Sequence, residues 1–194
     1  SDSYRQAIIQ TAAEFGLELT DEDVSHAKSA GDANNDWILT HRLLGEAGVE
    51  VEYERVKEVY EDRYQGRGSF RGLWREEELM HSLERIEEVS GHLPIGIVTG
   101  RPRRDADRFF EETGLDRVIE RAVCMEDAPR KPAPDPVELL GEQLGVDRAW
   151  MVGDTPDDAR AARASESVSV LPLGAIAPGE DASRMRSALL EAGC

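Results

Sequence analysis

From Leu73 onward short apolar runs alternate with helical stretches, and few folds accept that order. Leu79, Leu83, Ile86 and Val89 recur at helical spacing, and "PIGIV" then reads as a buried strand ending at Thr99. Phe109 and Phe110 mark the next helix, "RAVCM" a strand, and Val137, Leu140 and Leu144 a helix. "AWMV" gives a further buried strand, Ala159 to Ala164 a helix, and "SVSVL" a last strand. Strands separated by helices cannot be joined as hairpins, so the pattern predicts an α/β fold, a parallel sheet flanked by helices.

The first part of the chain has another texture. Tyr4, Ile8, Ala12 and Phe15 form one helical stripe, Tyr53, Val56, Tyr60 and Tyr64 form another, and no strand pattern intervenes. "SYRQ" fits a capping box with Ser3 as N-cap and Gln6 reaching back. "GRGSFRG", from Gly66 to Gly72, reads as a glycine-rich joint. The expected organisation is a helical domain over residues 1–72 and an α/β domain over 73–194, without internal repeats.

In open parallel sheets ligands lie beyond the carboxyl ends of the strands. Three such ends carry chemistry: "IVTGRP" with Thr99 and Gly100, "RKPAPDP" with Lys131, and "VGDTPDD" with Asp154, Asp157 and Asp158. Thr99 and Gly100 read equally well as a capping turn. A lone lysine is ordinarily a solvated loop charge. Here only Lys28, Lys57 and Lys131 are lysines among 23 basic residues, so Lys131 suggests a place where a compact ammonium fits and a guanidinium fork does not. Carboxylates after a strand can cap a helix and favour its dipole at about 0.3 to 1 kcal/mol each. That accounts for one or two of them. Like charges a few ångströms apart disfavour one another, and a hard cation removes the conflict. Asp154 and Asp158, one helical turn apart, are the expected ligands of Mg²⁺.

Composition narrows the partners. With 40 acidic against 23 basic residues, a net charge of -17 repels nucleic acid and anionic membranes. Abundant carboxylates with almost no lysine resemble a halophilic protein surface. In such salt the Debye length is only about 3 Å at 1 M, so the global charge would hardly deter an anionic substrate. Cys124 and Cys194 suggest no disulfide framework. No apolar run approaches the roughly 20 residues of a membrane span, and no leader is evident, so a cytoplasmic protein is expected. His26, His41, His81 and His92 lack metal-ligand spacing, and no Walker loop or dinucleotide fingerprint occurs. An EF-hand starting at Asp154 would need glycine where Ala159 stands.

Threonine after one strand, lysine in "RKPAPDP" and then "GDTPDD" after another strand resemble, in that order, the haloacid dehalogenase superfamily, over about Leu73 to Leu171. The resemblance implies a Rossmann-like core, with the helical part as the cap inserted in the first subclass. "KSAGDANNDW", from Lys28 to Trp37, is similar to a cap segment in a group of phosphatases of that subclass, and reads equally as a helix start before Trp37. By the same resemblance Thr99, Gly100, Arg101 and Lys131 contact the phosphoryl group, Thr99 and Lys131 being catalytic. Asp154 would bind Mg²⁺, and Asp158 would bind or orient it.

The implied activity is Mg²⁺-dependent hydrolysis of a small phosphorylated metabolite through a phospho-aspartate. The family's Asp-x-Asp nucleophile motif should precede the cap, whereas the sequence opens at "SDSYRQ" and Asp2, Asp21 and Asp23 follow no apolar strand. The expectation is therefore a chain without its first strand and inactive as written. Two alternatives stand beside it: a noncatalytic relative that binds a ligand or partner, and a haloacid dehalogenase proper.

Overall fold

The structure is a computed structural model that describes residues 2–29, 35–178 and 180–194. It divides into two compact units, Ser1–Glu77 and Glu78–Cys194. Among the described residues no helix is long and apolar enough to cross a membrane.

The first unit is helical. It consists of α1 (Asp2–Glu14), α2 (Asp21–Ser29), α3 (Asp36–Glu46) and α4 (Tyr53–Gln65), followed by a 3-10 turn over Leu73–Glu76. The sequence stripes become its core: Ile8, Leu39, Tyr60 and Tyr64 pack in one cluster, Ala12, Leu44 and Val56 in another. The capping box expected at "SYRQ" is absent, because α1 already includes Asp2 and Ser3 is buried within it. Residues 30–34 of "KSAGDANNDW" lie outside the described residues. Its end does start a helix, since the Asn35 side chain accepts a hydrogen bond from the Ile38 amide at 3.1 Å. The glycine-rich joint is a tight turn on the end of α4. A Cβ on Gly66, where φ is 80°, would stand 2.6 Å from the Gly72 amide nitrogen, and Trp74 Nε1 donates to the Gln65 carbonyl at 3.3 Å.

The second unit alternates, as the pattern requires. Its elements are α5 (Leu83–Ser90), β1 (Gly96–Val98), α6 (Arg103–Thr113), β2 (Arg121–Val123), α7 (Asp135–Leu144), β3 (Arg148–Gly153), α8 (Pro156–Ala164), β4 (Ser169–Gly174) and α9 (Ala182–Glu191). All pairing is parallel. β1 lies on β2 with Val98 opposite Val123, and β3 lies on β4 with Trp150 opposite Leu171 and Val152 opposite Leu173. Among the described residues these are two separate two-stranded sheets.

Burial departs from expectation at β3. "AWMV" reads as a buried strand, yet Trp150 is 65% and Val152 68% exposed, with Leu171 and Leu173 opposite them at 54% and 43%. Alternate side chains of a strand share a face, so these two cross-strand pairs make one uncovered apolar surface. Around β1 and β2 packing is tighter: Ala106, Phe110, Leu115, Val118 and Cys124 form a buried cluster against which Leu83, Ile86 and Ile97 pack.

Candidate active site

The turn from β3 into α8 is built by its own side chains. Thr155 is the N-cap in extended conformation, with φ -121° and ψ 152°, and Pro156 follows where a missing N–H costs nothing. The cap is reciprocal. Thr155 Oγ1 accepts from the Asp158 amide at 3.4 Å, while Asp158 Oδ2 accepts from the Thr155 amide at 3.0 Å and from Thr155 Oγ1 at 2.8 Å. This is a capping box with aspartate in place of the usual glutamate.

Lys131 arrives from the loop after β2, on the amino side of a cis bond to Pro132, and is buried. Its ammonium donates to Asp158 Oδ1. Asp158 lies so close to the strand tip that a Cβ on Gly153 would stand 2.4 Å from the Asp158 Cβ. Gly153 is thus required by the site although φ is not the reason. Sequence reasoning passed over it and over the Thr155 cap; the signals were a glycine directly before the strand-end aspartate and the Thr-x-x-Asp spacing.

The three carboxylates of "GDTPDD" do not share one environment. Asp158 faces Lys131, buried Asp157 pairs with Arg160 at 3.1 Å, and Asp154 is exposed, with no hydrogen bond or ion pair among the described residues. The like-charge conflict that motivates a cation in the sequence is therefore met for two of the three by cations of the chain itself. Among the described residues no group of three or more His, Cys, Asp or Glu side chains is placed to hold a metal ion.

At the end of β1 the ladder continues one residue, the Thr99 amide donating to the Val123 carbonyl at 2.9 Å. Thr99 Oγ1 accepts from the Arg101 amide at 3.1 Å, so the hydroxyl closes the turn and its own proton remains to be donated. Gly100 is half-buried. The Arg101 guanidinium lies 4.8 Å from the Phe109 ring centroid, and the Arg101 carbonyl accepts from the Met125 amide at 3.0 Å, tying this turn to the one after β2. Arg103 donates to the Ala122 carbonyl at 2.8 Å and pairs with Asp127. The Cys124 amide and then Arg103 hold the Asp127 carboxyl below its ordinary range. Burial pushes the Cys124 thiol up to about 11, which removes it as a nucleophile at neutral pH.

Both strand pairs wall one apolar cavity of about 220 Å³, lined by Ile97 and Val98 of β1, Leu140 and Leu144 of α7, and Met151 and Val152 of β3. β1 pairs only with β2 and β3 only with β4 among the described residues. Thr99 follows β1 and Asp154 follows β3, both of which line the cavity. For a hard cation the donor set is uneven: Asp154 has both oxygens open, whereas Asp158 Oδ1 accepts from Lys131 and Oδ2 accepts twice from Thr155. Mg²⁺ commonly takes one or two carboxylates and completes its shell with water and substrate phosphate, which the open carboxylate of Asp154 fits.

A family model for haloacid dehalogenase-like hydrolases matches residues 4–171. A protein of Phytophthora nicotianae named imidazoleglycerol-phosphate dehydratase is 43% identical over 177 residues, 87% of this chain and 39% of that protein. Phosphoglycolate phosphatase of Escherichia coli K12 is 28% identical over 122 residues, 61% of this chain and 48% of that enzyme. The crystal structure of a predicted phosphoglycolate phosphatase from Haemophilus somnus 129pt superposes with a TM-score of 0.69 at 16% identity, covering 89% of this chain and 77% of that one. At that identity the likeness speaks for the fold alone. The chain spans between 31% and 55% of the length of the first curated relatives it matches.

Proposed function

This chain belongs to the haloacid dehalogenase-like hydrolase family, and from that premise we propose that it is the phosphatase part of a Mg²⁺-dependent enzyme acting on a small phosphorylated metabolite. The observation that carries the reading is the arrangement around the cavity: Thr99 and Asp154 follow β1 and β3, which line it, and Lys131 is held by Asp158 in the first turn of α8. A fifth parallel strand between β1 and β3 would satisfy both unpaired edges and end beside these groups. A carboxylate at its carboxyl end is the nucleophile of the proposed reaction. Asp21 and Asp23 do not supply it, since they stand in the first turn of α2.

The roles follow from the local chemistry. Thr99 donates its hydroxyl proton to a phosphoryl oxygen, the Gly100 amide and Arg101 lie beside it, and Lys131 offers a point charge of fixed position. Mg²⁺ on Asp154 would neutralise charge on the transferring group. In the first step the nucleophilic carboxylate bonds to phosphorus, the bond to the alcohol oxygen breaks, and that oxygen takes a proton from a second carboxylic acid. In the next, water gives a proton to that second carboxylate as it attacks phosphorus, the acyl phosphate bond breaks, and inorganic phosphate leaves.

The test compares the 194-residue chain with one extended at its amino end by an apolar strand closing on Asp-x-Asp. Both are assayed with an aryl phosphate, phosphoglycolate and an imidazole-bearing glycerol phosphate, the last two prompted by the names of the relatives. Mg²⁺-dependent phosphate release by the extended chain and none by the 194 residues is expected. Release by the 194 residues alone refutes the need for an added nucleophile; halide release without phosphatase activity favours a dehalogenase. A second reading is a noncatalytic binder of phosphorylated ligands. Ligand binding by both chains without turnover would support it.

A further inference from the structure

We propose that the helical unit carries a binding site of its own for a small monocarboxylate, beside the first turn of α3, formed by Lys28, Trp37, Lys57 and Tyr60. Three helices meet there. Lys28, near the end of α2, reaches Asp36 at 3.3 Å, and the Lys57 ammonium of α4 stands 4.5 Å from the Trp37 ring centroid. Lys57 and Tyr60 are three residues apart on α4 and so share a face, and Trp37 packs on the cluster that contains Tyr60. Tyr60 is 1% exposed, yet its hydroxyl has no hydrogen-bond partner among the described residues. A buried donor without an acceptor costs free energy, which a ligand oxygen relieves. Burial, and after it the Asp36 carboxylate, holds the phenol well above its ordinary value, so the hydroxyl keeps its proton and remains a donor.

The ligand class follows from the charges. Only three of the 23 basic residues are lysines, and two of the three meet the adjacent residues Asp36 and Trp37. A compact ammonium with rotatable donors suits a small ligand approached from two sides. The Lys28 contact is longer than the roughly 2.7–2.9 Å of a charge-assisted hydrogen bond, so its ammonium can turn to a second anion while staying near Asp36. Two ammoniums thus stand against Asp36, and Glu61, the other carboxylate that acts on Tyr60, is engaged by Gln65 Nε2 at 3.4 Å one turn beyond Lys57. So small a positive excess suits a monoanion, whereas a phosphate dianion would be repelled by Asp36. Lys28 and Asp36 keep 21% and 14% of their side chains exposed, so the site opens to solvent at their end.

Sodium acetate is the probe, titrated at an ionic strength held constant with KCl. The indole N–H signals of Trp37, Trp74 and Trp150 in ¹⁵N–¹H NMR read the titration, each assigned by its loss in Trp37→Phe, Trp74→Phe or Trp150→Phe. The Trp37 signal is expected to move saturably in the millimolar range while the other two stay in place, and inorganic phosphate at equal concentration should leave it unmoved. Tyr60→Phe removes one oxygen. Acetate affinity should then fall about tenfold, the effect of losing one hydrogen bond to a charged group, while the thermal midpoint without ligand holds or rises because an unsatisfied buried hydroxyl is gone. An unmoved Trp37 signal, equal movement with phosphate or KCl, or unchanged affinity in Tyr60→Phe overturns the proposal. A lowered midpoint in Tyr60→Phe overturns it as well, since the hydroxyl would then have its partner within the fold. All four residues belong to the helical unit and no turnover is measured, so this site and the phosphatase reading stand or fall separately.

Discussion

The helical unit and the α/β unit bury their apolar stripes to different degrees. In the first, Ile8, Leu39 and Tyr64 are wholly buried by neighbouring helices. In the second, the clusters around α6 and β2 are closed, but β3 and β4 present Trp150, Val152, Leu171 and Leu173 to solvent, and among the described residues β1 pairs only with β2 and β3 only with β4. The helical unit completes its core from local sequence, whereas a parallel sheet needs strands from separate parts of a chain. A described set of residues can therefore complete the one and leave the other open.

The difference breaks most readily in the helical core. Leu39→Ala should lower stability by about 2 to 5 kcal/mol, as expected where a fully packed leucine leaves a cavity. Urea unfolding with amide exchange read separately for the two units locates the loss in residues 2–77. An equal loss of protection in the α/β unit would show that its stability depends on the helical one. The next effect tests a tight spot in the α/β unit. Gly153→Ala places a methyl against Asp158 and should cost about 1 to 3 kcal/mol, the range for overpacking. Loss of the Lys131 side-chain ammonium signal in ¹⁵N–¹H NMR of that variant would tie the cost to the Lys131–Asp158 pair.

Much of this was legible because of period and position. Helical stripes at Tyr4, Ile8 and Ala12 and at Val56, Tyr60 and Tyr64 predict which faces bury, since burial on a helix is decided within a few turns. The α/β order was equally plain, and the family follows from motifs whose sequence order is fixed. Sequence fails where the outcome depends on which charges meet. Asp154, Asp157 and Asp158 are adjacent and look like one cluster, yet Arg160 lies one turn along α8 and Lys131 comes from a loop 27 residues earlier. "SYRQ" and "TPDD" both carry a capping pattern, and only the second has its N-cap in extended conformation, since Ser3 already lies within α1. The exposure of Trp150 was illegible for another reason: an apolar strand reads as buried whether or not its covering partner is among the residues at hand.

A smaller effect sharpens the contrast through pH. Asp127 ties β2 to α6, and its carboxyl is held below the ordinary range first by the Cys124 amide and then by Arg103. A depressed folded value means that the charged form stabilises the fold above the unfolded value, near 3.9. That stabilisation is lost as pH falls through the lower, folded value. Asp127→Asn should therefore lower the urea midpoint of the α/β unit at pH 7, and the gap from the unmodified chain should close only well below pH 4. A gap that persists in strong acid would mean that shape and not charge does the holding.

The smallest change tests whether the uncovered face is uncovered in solution. Trp150→Ser removes a large apolar side chain that is 65% exposed, and a substitution that touches so little of the core should alter stability by no more than about 0.5 kcal/mol. The same variant should bind less of a hydrophobic dye, because Trp150 and Val152 form the middle of the exposed patch with Leu171 and Leu173 across from them. Trp37 and Trp74 are partly buried against the helical core, so the red-shifted part of the tryptophan emission should disappear with Trp150 alone. A loss of stability comparable to that of Leu39→Ala would contradict all of this. It would mean that β3 is covered in solution, and the contrast between a closed helical unit and an open sheet would then hold only for the isolated chain.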